Sequence, residues 1–135
     1  MIIGIGVDLV QISRIDRMLK RWGDRFVQRV FTENEAGLCL KRPRPASALA
    51  LRFAAKEAFS KAVGLGMRKG VGWRDIEVFH HPSGKPGLRL RGASREIFRQ
   101  IGATEIHLSL SDEGLYGIAM VVLEGNGEKG KDDEC

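Results

Sequence analysis

The sequence lacks the features that would place it in a membrane or outside the cell. It has only two cysteines in 135 residues, Cys39 and Cys135, and they form no metal-binding spacing with each other or with the three histidines. No apolar run approaches the roughly 20 residues needed to cross a bilayer. The N-terminus has no basic segment ahead of its apolar run, as a signal peptide would. We therefore expect reduced thiols, a cytoplasmic location and no membrane partner.

Aromatic and acidic residues are also scarce. Acidic residues number 17 against 22 basic ones, which gives a formal net charge of +5. This excess of positive charge favours an anionic partner. The alternatives are a nucleic acid, a phosphorylated small molecule and an acidic protein. Aromatic residues make up 7% of the chain, and they are not interleaved with the basic clusters as a base-stacking surface requires. A nucleic-acid partner is therefore not favoured.

The pattern of apolar residues predicts one α+β domain over residues 1–124. Residues 2–12 are rich in isoleucine and valine and predict a strand. Residues 46–63, "ASALALRFAAKEAFSKAV", contain no glycine or proline and predict a long buried helix. Two further pairs of strands are predicted, "IEVFH" with "GLRLR" and "EIHLSLS" with "LYGIAMVVLE". Residues 125–135 carry glycine and charge without apolar anchors, which indicates a disordered tail.

Two helix starts are predicted from capping signatures. Ser13 is followed three residues later by Asp16, and Thr32 is followed three residues later by Glu35. A hydroxyl residue with an acid at this spacing can pair with the free N–H groups of a first helical turn. We therefore expect helices that begin at these two positions, the first of which runs to Trp22.

Two carboxylates need an explanation. Asp8 interrupts the apolar run "MIIGIGVDLV", where a carboxylate is costly unless a cation or a set of donors compensates it. In the long helix, Glu57 and Lys61 lie one turn apart on the same face. If the strand packs on this helix, both carboxylates can bind one magnesium ion and Lys61 can contact a phosphate. A solvated ion pair on the helix and a turn-capping or arginine-paired aspartate remain alternatives.

The segments "GIGVDLVQISRI" and "RFAAKEAFSKA", in this order, resemble the holo-[acyl-carrier-protein] synthase family of 4′-phosphopantetheinyl transferases. The likeness continues through "FTENE", "GKP" and "HLSLSDEGLYGIAMVVLE". The resemblance implies a magnesium-dependent enzyme of fatty acid biosynthesis. It would transfer phosphopantetheine from coenzyme A to a serine of apo-acyl carrier protein and release adenosine 3′,5′-bisphosphate. It also implies an antiparallel sheet packed against the long buried helix, in a homotrimer whose coenzyme site lies between subunits.

The same resemblance implies roles for individual residues. Asp8 and Glu57 would bind magnesium, Lys61 would hold the attacked phosphate, and His107 would lie near the pyrophosphate. Glu57 and His107 are both candidates for the base that deprotonates the carrier serine. Residues at the matching positions would contact coenzyme A, namely Arg52, Lys56, Lys61, Gly64, Ser83, Gly84, Pro86 and His107. Asp112 departs from the family, where histidine is frequent; it either shapes the turn or adds to the metal environment.

The first predicted helix carries a basic stripe. Arg14, Arg17 and Arg21 recur at i, i+3 and i+7, which places them on one face. The resemblance implies that this helix docks the acidic carrier protein, with the contacts made by Arg14, Met18, Arg21, Arg25 and Phe26. A solvated basic face is the alternative. For the whole protein, the alternative functions are a magnesium-dependent phosphodiesterase or nuclease and a basic nucleic-acid-binding module.

Overall fold

The computed structural model describes residues 1–67 and 71–126. In chain order the elements are β1 (Ile2–Gln11), α1 (Ile12–Trp22), α2 (Asp24–Val30), α3 (Glu33–Cys39), α4 (Pro45–Ala62), a 3-10 turn (Trp73–Asp75), β2 (Ile76–His80), β3 (Pro86–Leu90), α5 (Gly92–Gln100), β4 (Ala103–Asp112) and β5 (Tyr116–Gly125). Three strands form an antiparallel sheet in the order β1-β5-β4, and β2 pairs with β3 in a separate hairpin. This is the α+β class that the sequence predicts. None of the helices in the described ranges is long and apolar enough to cross a membrane.

Helix α4 lies across one face of the three-stranded sheet, and two glycines of β1 allow it to lie close. A Cβ atom built on Gly4 would overlap the carbonyl oxygen of Ala62, and one built on Gly6 would overlap that of Ala58. Alternate residues of a strand share a face, so Asp8 follows Gly4 and Gly6 on the side of β1 that meets the helix. The "GIG" segment therefore brings the first carboxylate against α4.

The opposite side of this sheet is an exposed apolar surface, which we call the outer face. It consists of Ile5, Val7 and Leu9 on β1 and Ile118 and Met120 on β5, all of which are 40–64% exposed. Val7 lies opposite Met120 and Leu9 lies opposite Ile118 in the antiparallel register. A contiguous apolar patch of this kind is typical of a surface that another molecule covers.

The two capping predictions have different outcomes. The Thr32 capping box is confirmed, because its hydroxyl accepts from the Glu35 N–H at 3.2 Å and the Glu35 carboxylate accepts from the Thr32 N–H at 2.9 Å. The helix predicted from Ser13 to Trp22 is confirmed as α1, which begins one residue earlier at Ile12, but no side-chain cap is formed at its N-terminus. Ile12 and Ile15 of this first turn are buried, so α1 is held against the core without a cap.

The C-terminal boundary lies slightly beyond the predicted one. Strand β5 includes Gly125, whose N–H donates to the carbonyl of Met1 at 2.9 Å. The first residue assigned to the tail is therefore part of the sheet. Asn126 is the last described residue of the predicted tail, and residues 127–135 lie outside the described residues.

Candidate active site

Strand β1 and helix α4 bring Asp8, Glu57 and Lys61 together. Lys61 Nζ lies 3.0 Å from Asp8 Oδ1 and also donates to the carbonyl of Val7 at 3.0 Å. Glu57 is half-buried, and its pKa is raised, first by burial and then by the carboxylate of Asp8, while Lys61 and Arg14 act in the opposite direction. The two carboxylates are thus close enough to repel each other at a partly desolvated position.

This donor set fits a hard divalent cation. Asp8 and Glu57 each offer a carboxylate, and each is held on a regular element, so that neither needs a loop to position it. The nearby cations, Lys61 and Arg14, compensate Glu57 only in part, because its pKa stays raised. Magnesium in proteins is typically bound by one or two carboxylates and completes its coordination with water and substrate phosphate oxygens. The residues present therefore suit a magnesium ion.

His107 does not join this cluster within the protomer. Its Nε2 lies 2.9 Å from Glu124 Oε1 and 3.7 Å from Glu105 Oε2. His107 belongs to β4 and is in register, through β5, with Ile5 of the outer face. Two strand spacings, about 10 Å, separate β4 from β1. In addition, His107 lies on the outer-face side of the sheet, whereas Asp8 lies on the side that meets α4. The structure therefore places His107 on a different surface from the two carboxylates.

Lys56 is the clearest correction to the sequence-based site. Its side chain is fully buried, and its ammonium group donates to Glu35 Oε1 at 2.6 Å, the Val30 carbonyl at 2.8 Å and the Trp73 carbonyl at 2.9 Å. Glu35 is equally buried and also accepts from the N–H of Val78 at 2.9 Å. An ammonium group has three donors, so none remains for a nucleotide. The predicted ligand contact is wrong in this arrangement, and Lys56 joins α2, α3, α4 and the 3-10 turn instead.

Arg52 lines a cleft of about 400 Å³, which we call the arginine cleft. Its side chain is only 4% exposed; Nη1 donates to the Ala48 carbonyl at 3.1 Å, and Nε has no hydrogen-bond partner among the described residues. A buried guanidinium with an unpaired N–H beside further arginines suits an anion with several oxygens. The other residues that line this cleft are Arg42, Pro43, Arg44, Ser47, Ala48, Leu51, His80 and Asp112.

Two of these cleft residues were missed from the sequence. Arg42 and Arg44 lie immediately before α4, in "KRPRP", a segment that matches none of the motifs considered above. Asp112, whose role was left open, lines this cleft with the arginines. Basic residues next to a helix N-terminus were the signal that could have identified an anion site here.

The remaining predicted coenzyme contacts lie elsewhere in the protomer. Gly64 follows α4 with φ 86°, and Gly84 occupies the β2–β3 turn with φ 93°; neither conformation suits a residue with a side chain. Ser83 is exposed in the same turn. Pro86 begins β3 and lines a separate cleft, formed by the hairpin, α5 and β4. The predicted nucleotide residues are thus distributed over several surfaces of one chain.

A groove of about 550 Å³ runs between α1, α2, α4 and the 3-10 turn. The stacked rings of Phe53 and Trp73, 4.9 Å apart, form part of its apolar wall, and the Arg14 guanidinium lies 5.8 Å from the Phe53 ring centroid. Glu57 lines the same groove. Four of the predicted carrier contacts are among its lining residues, which are Arg14, Met18, Trp22, Arg25, Phe26, Arg29, Val30, Phe53, Glu57 and Trp73.

Arg21, the fifth predicted carrier contact, lies on an adjoining surface. It shares that surface with Arg14, Arg17 and Lys20 and stacks 5.0 Å from the ring of Trp22. The basic stripe and the apolar groove are therefore continuous through Arg14. Sequence reasoning missed the contribution of both tryptophans, because neither lies in a motif.

Comparison with known proteins shows the family to which the chain belongs. A family model described as the 4′-phosphopantetheinyl transferase superfamily matches residues 4–117. The holo-[acyl-carrier-protein] synthase of Methylorubrum extorquens is 49% identical over 128 residues, which cover 92% of this chain and 94% of the relative. That of Geobacter metallireducens is 45% identical over 124 residues, covering 92% and 98%.

Solved structures agree as well. The holo-[acyl-carrier-protein] synthase of Neisseria meningitidis superposes with a TM-score of 0.86 at 41% identity, covering 92% of this chain and 99% of that one. The synthase of Bacillus anthracis, in complex with CoA (3′,5′-ADP), gives 0.77 at 41% identity, covering 93% and 99%. The Helicobacter pylori synthase in complex with coenzyme A gives 0.79 at 32% identity, covering 89% and 99%.

The fold and the matched residues define a phosphopantetheinyl transferase, and the chain belongs to the 4′-phosphopantetheinyl transferase superfamily. Within it, the relatives are holo-[acyl-carrier-protein] synthases over nearly their whole length. The family identified from the sequence is therefore confirmed, and the protein is an enzyme of this kind. A nuclease or a nucleic-acid-binding module is not favoured.

Proposed function

We propose that the protein transfers the 4′-phosphopantetheine group of coenzyme A to a serine of apo-acyl carrier protein. The reaction depends on magnesium, releases adenosine 3′,5′-bisphosphate and provides holo-carrier for fatty acid biosynthesis. The observation that carries the proposal is the convergence of Asp8, Glu57 and Lys61 beside a groove with basic walls. The coenzyme A complexes of the Bacillus anthracis and Helicobacter pylori synthases support the choice of substrate.

Phosphoryl transfer requires positioning and neutralisation of charge more than covalent help from the protein. Asp8 and Glu57 would hold the magnesium ion, which when bound offsets negative charge on the substrate phosphates. Lys61 is half-exposed and already reaches Asp8 at 3.0 Å, so a small rotation would let it donate to the attacked phosphate. Of the two candidate bases, Glu57 lies in this cluster beside Lys61, whereas His107 lies on another surface of the protomer. Glu57 could accept the serine proton directly or through a metal-bound water.

The nucleotide part of coenzyme A is assigned to the cleft of Arg42, Arg44 and Arg52. Its support is the buried, unpaired Nε of Arg52 and the excess of positive charge around it. No described residue that lines this cleft also lines the groove that contains Glu57. One coenzyme that contacts both regions is therefore explained most simply by a site shared between neighbouring subunits.

A homotrimer would provide such a shared site, and the outer face would be its interface. Ile5, Val7, Leu9 and Met120 are exposed on this face, and burial of apolar area of this kind is the main driving force of association. The wild-type protein should sediment as a trimer, and Met120→Glu should shift it toward the monomer and lower activity. A fully active wild-type monomer, with specific activity independent of dilution, would contradict the shared site.

The acyl carrier protein is assigned to the groove and to the basic stripe beside it. Arg14, Arg21 and Arg25 supply positive charge, and Met18 and Phe26 supply apolar contacts. Opposite charge on the partner would steer encounter and set orientation. Because Glu57 lines the same groove, a carrier bound there would present its serine near the two carboxylates.

The proposal is tested by direct product analysis. The protein is incubated with coenzyme A, magnesium and an apo-acyl carrier protein, and the carrier is examined by mass spectrometry. We expect a mass gain equal to one phosphopantetheine group, which is abolished by EDTA and restored by added magnesium. Absence of any gain on all the carriers tried, with cleavage of nucleic acid in its place, would refute the proposal.

A further inference from the structure

His80 is a titratable residue that lines the arginine cleft, and the mechanism above gives it no role. It is the last residue of β2, its side chain is exposed, and it lines the cleft with Arg42, Arg44 and Arg52. Its cross-strand neighbour on β3 is Pro86, which carries no charge. The electrostatic surroundings of the imidazole are therefore set by the α4 side of the cleft and by the end of β4.

These surroundings favour the neutral imidazole when no anion is bound. Partial burial against the cleft wall, followed by the positive charges of Arg52 and Arg42, holds the pKa of His80 below its ordinary value. Arg44 adds a further cation to the lining, and Asp112 is the one carboxylate among the described residues of the cleft. His80 thus faces an excess of positive charge and is mostly neutral at pH 7.

An entering phosphate reverses this balance. A nucleotide phosphate brings up to two negative charges to the arginines, and once these charges are paired they no longer repel a cation at His80. An imidazolium beside the phosphate also gains a charge-assisted hydrogen bond, which is stronger than the bond that neutral imidazole can donate. Both changes favour protonation of His80 in the occupied cleft.

We propose that His80 binds the nucleotide phosphate of coenzyme A as an imidazolium, and that it takes up this proton from solvent when the phosphate enters. The inference rests on the proposed function, because it uses the same cleft and the same substrate. His80 is thus a binding residue whose contribution depends on pH, whereas the three arginines stay charged throughout.

The sign of the pH dependence follows from linkage. The occupied cleft binds more protons at His80 than the empty cleft, so this residue strengthens binding as pH falls. Its effect lies between the lowered pKa of the empty cleft and the higher pKa of the occupied one. Within that window each pH unit changes the dissociation constant by at most about tenfold, the limit for one linked proton. Above the window His80 is neutral in both states and the effect disappears.

Isothermal titration calorimetry with coenzyme A measures the proton directly. The heat of binding at pH 7 is compared in two buffers of different ionisation enthalpy, which gives the number of protons taken up. The proteins are the wild type, His80→Gln and the matched control His81→Gln. Glutamine can donate a hydrogen bond but does not titrate near pH 7. His81 is the next residue along the chain and packs edge-on against Phe79 at 5.0 Å; it does not line the arginine cleft.

We expect the wild type and His81→Gln to take up the same number of protons. His80→Gln should take up fewer, by up to one, and should bind coenzyme A about five- to tenfold more weakly at pH 6.5, with little difference at pH 8.5. The substrate phosphate also titrates near pH 6 and is coupled to a neighbouring imidazolium. The comparison is therefore repeated at pH 7.5, where the free phosphate is already mostly dianionic and contributes few protons.

The two possible failures are distinguishable. If all three proteins bind coenzyme A with equal proton uptake, the role of His80 is refuted and the proposed function is unaffected. If the wild type does not bind coenzyme A at all, the proposed function fails and the inference fails with it.

Discussion

Replacement of Lys56 by methionine tests whether the buried ion pair is a structural element, as its contacts indicate. The substitution keeps an unbranched chain of similar length but removes the charge and all three donors. It leaves the Glu35 carboxylate buried without its cation, and the carbonyls of Val30 and Trp73 lose their donor. Truncation of one partner of a buried pair typically costs 3–5 kcal/mol, because the other charge stays desolvated. We expect a loss of about 3–5 kcal/mol in the free energy of unfolding.

Lys61→Met is a matched control on the same helix. Lys61 also pairs with a carboxylate, Asp8 at 3.0 Å, but its side chain is 51% exposed, whereas that of Lys56 is 0% exposed. Exposed pairs contribute about 0–1 kcal/mol. Lys61→Met should therefore have nearly the free energy of unfolding of the wild type but should lose transfer activity. For Lys56→Met the main effect should be the loss in the free energy of unfolding.

Urea unfolding at one fixed protein concentration measures both changes, because dissociation of an oligomer would otherwise shift the midpoint. The expected loss for Lys56→Met corresponds to a fall of roughly 10–20 °C in Tm for a chain of this size. Addition of Glu35→Gln to Lys56→Met should recover part of the loss, since it removes the stranded charge. Equal stability of Lys56→Met and Lys61→Met would refute the assignment of Lys56 to the core.

Three further variants and one control examine the site and its support. Gly6→Ala should lower the free energy of unfolding by about 1–3 kcal/mol and reduce activity, because the added methyl group would force β1 away from α4. Gly37→Ala is the control, since nothing lies within 4 Å of the carbon that it adds on the helix surface. It should be neutral or slightly stabilising in the same unfolding assay. Glu57→Gln should reduce transfer by orders of magnitude with an unchanged circular dichroism spectrum, and near-normal turnover at low magnesium would contradict its role. Arg14→Glu with Arg21→Glu should raise the KM for the carrier, and an equal loss of coenzyme A binding would mean that the stripe belongs to the nucleotide site.

The core of the site was predictable because it depends on short-range periodicity. Glu57 and Lys61 share a helix face by spacing alone, and a charged residue such as Asp8 in an apolar strand must meet a compensating group. The close packing that Gly4 and Gly6 allow was seen only in the structure. Asp8, Glu57 and Lys61 can be predicted without knowing the long-range contacts of the chain, apart from the packing of β1 on α4.

The surroundings of Lys56 and His107 could not be derived from the sequence, because they depend on long-range contacts. Helix α4 is apolar on most sides, so its sequence does not show that Lys56 points to the buried Glu35, which comes from α3. His107 required the register of β4 with β5, which decides the face of the sheet on which a side chain lies. The helix near Ser13 was predicted to within one residue, although its capping contact is not formed.

The alternation along β1 makes its length critical. Even-numbered positions from Gly4 to Asp8 face α4, and odd-numbered positions from Ile5 to Leu9 form the outer face. Insertion or deletion of a single residue within this segment would exchange the two sets of side chains. Asp8 would then turn outward to the apolar surface, and a bulky side chain would meet the backbone of α4. A one-residue frame change in this strand should therefore abolish both chemistry and assembly.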